Sequence, residues 1–301
     1  METKEGEMAI KTVGVIGCGL MGSGIAQVCA QAGYKTVVRE INSELLKKGM
    51  SKIEDFLSKS VAKGKMTEEQ KASTLANLTG TTMLDELESS DIVIEAAVEN
   101  IDIKKEIFKE LDYACPSHTI FASNTSSLTI TEMAAATKRP DRFVGLHFFN
   151  PVPLMKLVEV VRTIATSKET FENAFTFAKS VGKEPIACKD NSGFVVNLLL
   201  VPYLLDAIRA VENGVASVED IDKGMTLGCG HPMGPLTLLD FVGLDTTFYI
   251  ANIMFEEYHD PKYSAPPLLR KMVLAGLHGK KTGKGFYDYS GEKPKVVELG
   301  L

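Results

Sequence analysis

The stretch KTVGVIGCGLMGSGIAQVCAQAG, residues 11–33, decides the fold. It opens with a short β-branched run leading into glycines, the pattern of a buried strand. Ile25, Val28, Cys29 and Ala32 follow at helical i, i+3, i+4, i+7 spacing, and Gly33 stops the helix. KTVVRE (35–40) is a second strand, so a β-α-β unit closes within about thirty residues. Between strand and helix stands Gly17-Cys18-Gly19-Leu20-Met21-Gly22. Gly17 permits a tight turn, Gly19 lets backbone approach a pyrophosphate, and Gly22 lets the helix pack close to the strand. Leu20 and Met21 lie where the helix N-terminus offers free N–H groups and a positive dipole end to phosphates. A glycine pattern alone is a weak signal. Here it follows a strand, opens a helix and is answered by the acidic Glu40 at the end of the second strand. Glu40 can accept from an adenosine ribose diol and repels a 2′-phosphate, which points to NAD over NADP, although Arg39 beside it could receive that phosphate.

Working outward, further short strands are expected at 91–97, 119–124, 143–148, 156–161 and 184–188, with amphipathic helical stretches such as 103–113 and 168–181 between several of them. Strand–helix alternation of this kind indicates a doubly wound, mostly parallel sheet. The strands at 143–148 and 156–161 are joined only by a Pro-containing loop, so this pair is expected to be antiparallel. From about residue 191 to 276 the pattern is helical, over 192–212, 217–227 and 241–257. The expected division is therefore an α/β domain over 1–190, with a flexible tail at 1–10, and a smaller all-α domain over 191–301.

A chain of 301 residues suits two domains, because single cores stop growing near ~250–300 residues. A net charge of −6 without a long basic run argues against nucleic acid and acidic membranes as partners. The five cysteines are scattered and lack a CxxC pair, which fits reduced thiols in a cytoplasmic compartment better than disulfides or a metal site. The N-terminus is too charged for a signal peptide, and the apolar run at 193–208 is interrupted by Asn197, Pro202 and Asp206. A soluble protein is expected.

GLHFFNPVPLMKLVEVV (145–161) places a lone His147 and a lone Glu159 in strands that otherwise read as buried. Alternation puts Glu159 on the same face as Leu157 and Val161, and a carboxylate buried there needs a partner. If the strands pair, His147 is within reach. The carboxylate would fix the imidazole tautomer through one ring nitrogen and leave the other to take or give a proton. Beside a nicotinamide, that equipment oxidises an alcohol. A His–Glu pair can equally be a structural tie between strands. SNTSS (123–127) follows a strand, where open α/β sheets bind ligands; its polar groups could hold a substrate oxygen or satisfy a turn. Asn197, in an apolar helix, demands a partner, either substrate or a neighbouring helix's backbone. His118, His231, His259 and His278 have no comparable setting.

Taken together, GVIGCGLMGSGIAQ, EAAVENIDIKKEIF, FASNTSSL, RFVGLHFFNPVPLMKLVEVV, GFVVN, HPMGPLTLLDFVGLD and GKKTGKGFYDY resemble, in order, the short-chain L-3-hydroxyacyl-CoA dehydrogenases, a family that includes bacterial 3-hydroxybutyryl-CoA dehydrogenases. The resemblance implies a Rossmann-type NAD-binding domain, a helical domain that dimerises, and an active site in the cleft between them. It implies His147 as general acid/base, Glu159 as its orienter, and Ser126 and Asn197 as substrate contacts near the reacting oxygen. It further implies NAD contacts at Glu99, Lys104, Ser126, Asn150 and Lys281, and a coenzyme A contact at Lys63. Glu40 stands where Asp is usual, and Ser192 and Leu198 where many relatives carry Pro and Arg. Other readings compatible with these residues are a relative acting on a free hydroxy acid such as L-gulonate or on a dicarboxylyl-CoA, and a non-catalytic NAD-binding structural protein. Dehydrogenases with a catalytic lysine after the domain boundary are disfavoured, because 192–208 contains no lysine.

Overall fold

In a computed structural model the described residues are 10–300; the expected N-terminal tail, apart from Ile10, lies outside them. The chain divides into two compact units at Asn191/Ser192.

The first unit carries eight strands: β1 (Thr12–Ile16), β2 (Lys35–Arg39), β3 (Leu78–Thr81), β4 (Ile92–Glu95), β5 (Ile120–Ser123), β6 (Phe143–Phe148), β7 (Leu157–Arg162) and β8 (Glu184–Lys189). Helices α1 (Leu20–Gln31), α2 (Ser43–Ala62), α3 (Glu68–Ala76), α4 (Ile101–Ala114), α5 (Ile130–Ala135) and α6 (Lys168–Ser180) connect them. The sheet order is β3-β2-β1-β4-β5-β6-β7-β8. The strands β3 to β6 of that order pair parallel, β6 and β7 pair antiparallel, and β7 and β8 run together, so the antiparallel pair expected across the proline loop is present. The chain leaves β1 toward β2 and β3, then returns to lay β4 on β1's other side. That reversal is a switch point, where such sheets bind ligands at the carboxyl ends of strands.

Local chemistry sets these elements. Val13, Val15, Ile16, Ile92, Val93 and Ile94 are buried on both faces, which is why β1 and β4 read as unbroken apolar runs. Asn42 caps α2 by accepting from the Leu45 N–H, and Thr67 with Gln70 forms a capping box on α3. β3 was not expected from the pattern. It is a short edge strand, LTGT, with half of its residues exposed and a central glycine, so it has almost no hydrophobic alternation to read.

The second unit contains α7 (Val196–Glu212), α8 (Val218–Cys229), α9 (Pro235–Val242), α10 (Leu244–Tyr258) and α11 (Pro267–Leu274), packed around Leu205, Ile208, Leu236, Leu239, Ala251, Met254 and Phe286. The single helix expected over 241–257 is corrected: α9 and α10 meet at 93°. Gly243 at the corner has φ +101°, a backbone state that side chains rarely adopt, so the apolar periodicity runs on while the axis turns. A small hairpin, β9 (Tyr287–Asp288) with β10 (Lys295–Val296), follows the helices. No single described helix is long and apolar enough to cross a membrane.

Candidate active site

The register brings the polar residues of the first unit to one edge of the sheet. Ile16 on β1 lies opposite both Arg39 and Glu95, Glu95 opposite Ser123, Ser123 opposite Gly145, and His147 opposite Glu159.

At the end of β1, Gly17 has φ +90°, and a Cβ there would lie 2.7 Å from the Ala96 carbonyl oxygen. A Cβ on Gly22 would lie 1.9 Å from the Gly17 carbonyl oxygen, so only glycine lets α1 sit this close to the turn. Above Gly19 nothing stands within 4 Å. Gly19 is the N-cap of α1 and makes no side-chain capping bond, and Leu20 beside it is exposed. Open space over a helix N-terminus with uncapped N–H groups fits a pyrophosphate. Glu40, just past β2, accepts from the Cys18 N–H at 3.1 Å and the Ile41 N–H at 2.6 Å, which fixes an acid beside the loop with acceptor sites to spare. These residues fit an NAD adenosine diphosphate. Arg39 is half-buried and its Nε has no hydrogen-bond partner among the described residues. The Cys18 thiol is pushed up to about 11 by burial and by the Glu40 charge, so it stays a neutral packing group.

Across β6 and β7, His147 Nδ1 lies 2.7 Å from Glu159 Oε2, with Glu159 at 0% and His147 at 4% exposure. The other ring nitrogen, Nε2, lies 3.1 Å from the Ser126 hydroxyl, and the Phe149 ring packs 4.5 Å from the imidazole. Within SNTSS the polar groups divide by partner. Asn124 Oδ1 accepts from the Phe148 N–H at 2.8 Å and ties β5's end to β6, while Thr125 and Ser127 donate to Glu99. Those groups satisfy the turn, and Ser126 is the one that faces the imidazole.

Glu99 also accepts from the Ser126 N–H at 3.1 Å and lies 3.3 Å from Lys104 Nζ. Lys104 lies on α4, buried at 1% exposure, and its closest partner is Glu95 at 2.6 Å. Glu95 was missed by sequence reading. The available signal was a lone acid closing the apolar run of β4, the same kind of signal that singled out Glu159. Asn150 follows β6 in an exposed loop. Lys63 is the exposed C-cap of α2. In the second unit, half-buried Asn197 opens α7, and Lys281 pairs with Asp245 at 2.6 Å. There too, Ser192 gives its carbonyl to the Tyr258 hydroxyl, and Leu198 packs on the helical core. Of the other histidines, His231 meets the Tyr203 hydroxyl, His278 a backbone carbonyl and His118 the Asp91 carboxylate, while His259 caps α10.

A doubly wound sheet with a glycine loop at its switch point, an acid closing the second strand, and an imidazole held by a buried carboxylate defines a nicotinamide-dependent dehydrogenase. Residues 12–191 match the family model described as 3-hydroxyacyl-CoA dehydrogenase, NAD binding domain, and residues 193–289 match its C-terminal domain. The chain belongs to the 3-hydroxyacyl-CoA dehydrogenase family, and NAD is its cofactor. It is 52% identical to a 3-hydroxybutyryl-CoA dehydrogenase of Mycobacterium tuberculosis, over 93% of this chain and 99% of the relative. It is also 52% identical to the human mitochondrial hydroxyacyl-coenzyme A dehydrogenase, over 94% of this chain and 92% of that protein. The crystal structure of (S)-3-hydroxybutyryl-CoA dehydrogenase from Ralstonia eutropha is 47% identical and superimposes with a TM-score of 0.91, covering 94% of this chain and all of that one.

Proposed function

We propose that the protein reversibly converts (S)-3-hydroxybutyryl-CoA and acetoacetyl-CoA with NAD(H). The observation that carries this reading is the unbroken line Glu159–His147–Ser126, closed at one end by a fully buried carboxylate and ending in a hydroxyl at the other. NAD, when bound, supplies the hydride acceptor or donor. In the oxidative direction His147 Nε2 removes the C3 hydroxyl proton, and in reduction it returns one. Glu159 holds Nδ1 so that Nε2 is presented to the substrate, and Ser126 places the substrate oxygen against it. Holding the reacting atoms in this geometry supplies much of the rate.

The cofactor set comprises Gly17, Gly19, Leu20, Met21, Gly22, Glu40, Glu99, Ser126, Asn150 and Lys281; Lys104, expected as a direct NAD contact, is enclosed at 1% exposure between Glu95 and Glu99 and would act through Glu99. Asn197 joins Ser126 in contacting the substrate, and Lys63 meets the coenzyme A portion. Residues 1–190 supply most of the NAD contacts, whereas 191–301 contribute Asn197 and Lys281 and dimerise. Leu199, Leu227, Phe241 and Tyr249 are left exposed on the helical unit, which supports a second copy of the chain as partner and is checked by light scattering. The free thiols, four of them buried, suit a reducing cytoplasm.

The test is NADH oxidation with acetoacetyl-CoA, longer 3-ketoacyl-CoAs and a free keto acid. Turnover is expected to require the CoA moiety and to be fastest with the four-carbon substrate. Equal rates with the free acid would overturn the assignment.

A further inference from the structure

We propose that Glu95 is a positioning residue: a buried counter-ion that fixes Lys104 and, through Glu99, sets Ser126 against His147. The inference rests on the dehydrogenase reading and adds a residue to it.

Glu95 and Lys104 are buried at 0% and 1% exposure, a location that neither charge tolerates alone. Glu95 Oε1 accepts from Lys104 Nζ at 2.6 Å and from the Ala97 N–H at 2.6 Å. Its Oε2 accepts from the Ser123 hydroxyl at 2.6 Å, so the turn after β4, strand β5 and helix α4 all hold this carboxylate in place. Lys104 has a second, longer contact, 3.3 Å to Glu99 Oε2. The other oxygen of Glu99 takes the Thr125 hydroxyl and, at 3.1 Å, the Ser126 N–H. Ser126 then meets His147 Nε2, and His147 meets Glu159.

Lys104 therefore sits between two carboxylates, held hard by one and touching the other lightly. Without the charge on Glu95, the ammonium moves to its remaining anion, and Glu99 turns toward it and away from the Ser126 backbone. The serine hydroxyl shifts with its backbone. Lys104 thus reaches the site through Glu99, since its own ammonium is enclosed.

The experiment compares Glu95→Gln, Lys104→Met, the double variant and Ser123→Ala with the wild type. Readouts are kcat and KM for acetoacetyl-CoA, the pH profile of kcat/KM, thermal midpoints, and the imidazole 15N resonances of His147, assigned with a His147→Gln variant. Glu95→Gln is expected to lower kcat roughly ten- to a hundredfold, as ångström-scale misplacement does. It should also displace the pH profile and the His147 resonances and lower the thermal midpoint. The double variant, with no lone buried charge, should regain the midpoint but not kcat, because Glu99 still lacks its ammonium. Ser123→Ala, which keeps the ion pair, covers the case in which Glu95→Gln does not fold, and is expected to lower kcat severalfold. A Glu95→Gln protein with wild-type kcat and pH profile overturns the proposal. So does a double variant that recovers kcat together with stability, or a Ser123→Ala protein unchanged in every readout when Glu95→Gln does not fold. A wild type that turns over no acetoacetyl-CoA sinks the dehydrogenase reading instead, and the His147 resonances of Glu95→Gln then decide the positioning role by themselves.

Discussion

Buried carboxylates occur in both units of this protein, and they are employed in opposite ways. In the sheet unit, buried Glu159 and half-buried Glu99 hold an imidazole and a serine, and the line ends on groups that can exchange a proton or a hydrogen bond with a ligand. In the helical unit the lines close on themselves. Asp222 accepts from the Leu236 N–H at 2.7 Å, the Thr237 N–H at 3.0 Å and the Tyr287 hydroxyl at 2.8 Å. Asp240 accepts from the Phe286 and Tyr287 N–H groups, each at 2.8 Å, and from the Tyr289 hydroxyl at 3.0 Å. A Cβ on Gly285 would lie 1.9 Å from Asp240 Oδ1, so the chain presses its backbone directly onto the acid. Burial, and then the neighbouring carboxylates, push the Tyr287 and Tyr289 hydroxyls up, so they remain donors. Burial of an acid alone therefore does not mark a site. What differs is the partner: the Glu159 line runs through an imidazole to the Ser126 hydroxyl, whereas Asp222 and Asp240 are held by backbone N–H groups and tyrosine hydroxyls of the same unit.

The contrast can be broken at its active end first. Replacing His147 by Gln should reduce turnover by about a thousandfold, the usual range for a lost acid–base group. NADH affinity, followed by fluorescence titration, should change less than about twofold, since the glycine loop proposed to hold the pyrophosphate is untouched by this substitution. Equal turnover in the two proteins would remove the acid–base assignment. Glu159→Gln comes next. It keeps the shape of the pair but loses the charged acceptor for Nδ1, and kcat should fall by roughly tenfold to a hundredfold, because the orienting partner has weakened while the imidazole remains.

The closed cluster should respond in the opposite currency. Asp240→Asn leaves buried N–H groups facing an amide and should destabilise the fold by about 2–3 kcal/mol in chemical denaturation, while kcat per folded molecule stays within about twofold. A pH series sharpens this. Burial raises the Asp240 pKa above its ordinary value despite three donors, so the folded state holds the proton more tightly than the unfolded chain. Stability from this group is then greatest below the unfolded value of 3.8 and declines as pH rises toward the folded one. The advantage of wild type over Asp240→Asn should shrink across that window; an advantage that grows would reverse the sign. Tyr289→Phe is the smallest change expected: about 1 kcal/mol of stability for one hydrogen bond, with kinetics unaltered.

How much of this was legible beforehand follows the range of the interactions. The β-α-β unit, the glycine turn and Glu40 were readable because strand period, helix period and φ requirements are local. The partnership of His147 and Glu159 could be suspected from two lone ionisable groups flanking a proline loop, but their opposition needed the antiparallel register. β3 and the α9–α10 corner were not visible, the first for want of hydrophobic alternation and the second because the apolar pattern continues through Gly243.

By itself, then, the order of residues determined the strongly periodic elements, their buried faces and the glycine-lined turn, since each depends on neighbours a few positions away. Only tertiary structure decided that Glu95, Lys104, Glu99, Ser126, His147 and Glu159 form one line. Those side chains come from four adjacent strand ends and a helix, and their distances are set by sheet register, which no local period encodes.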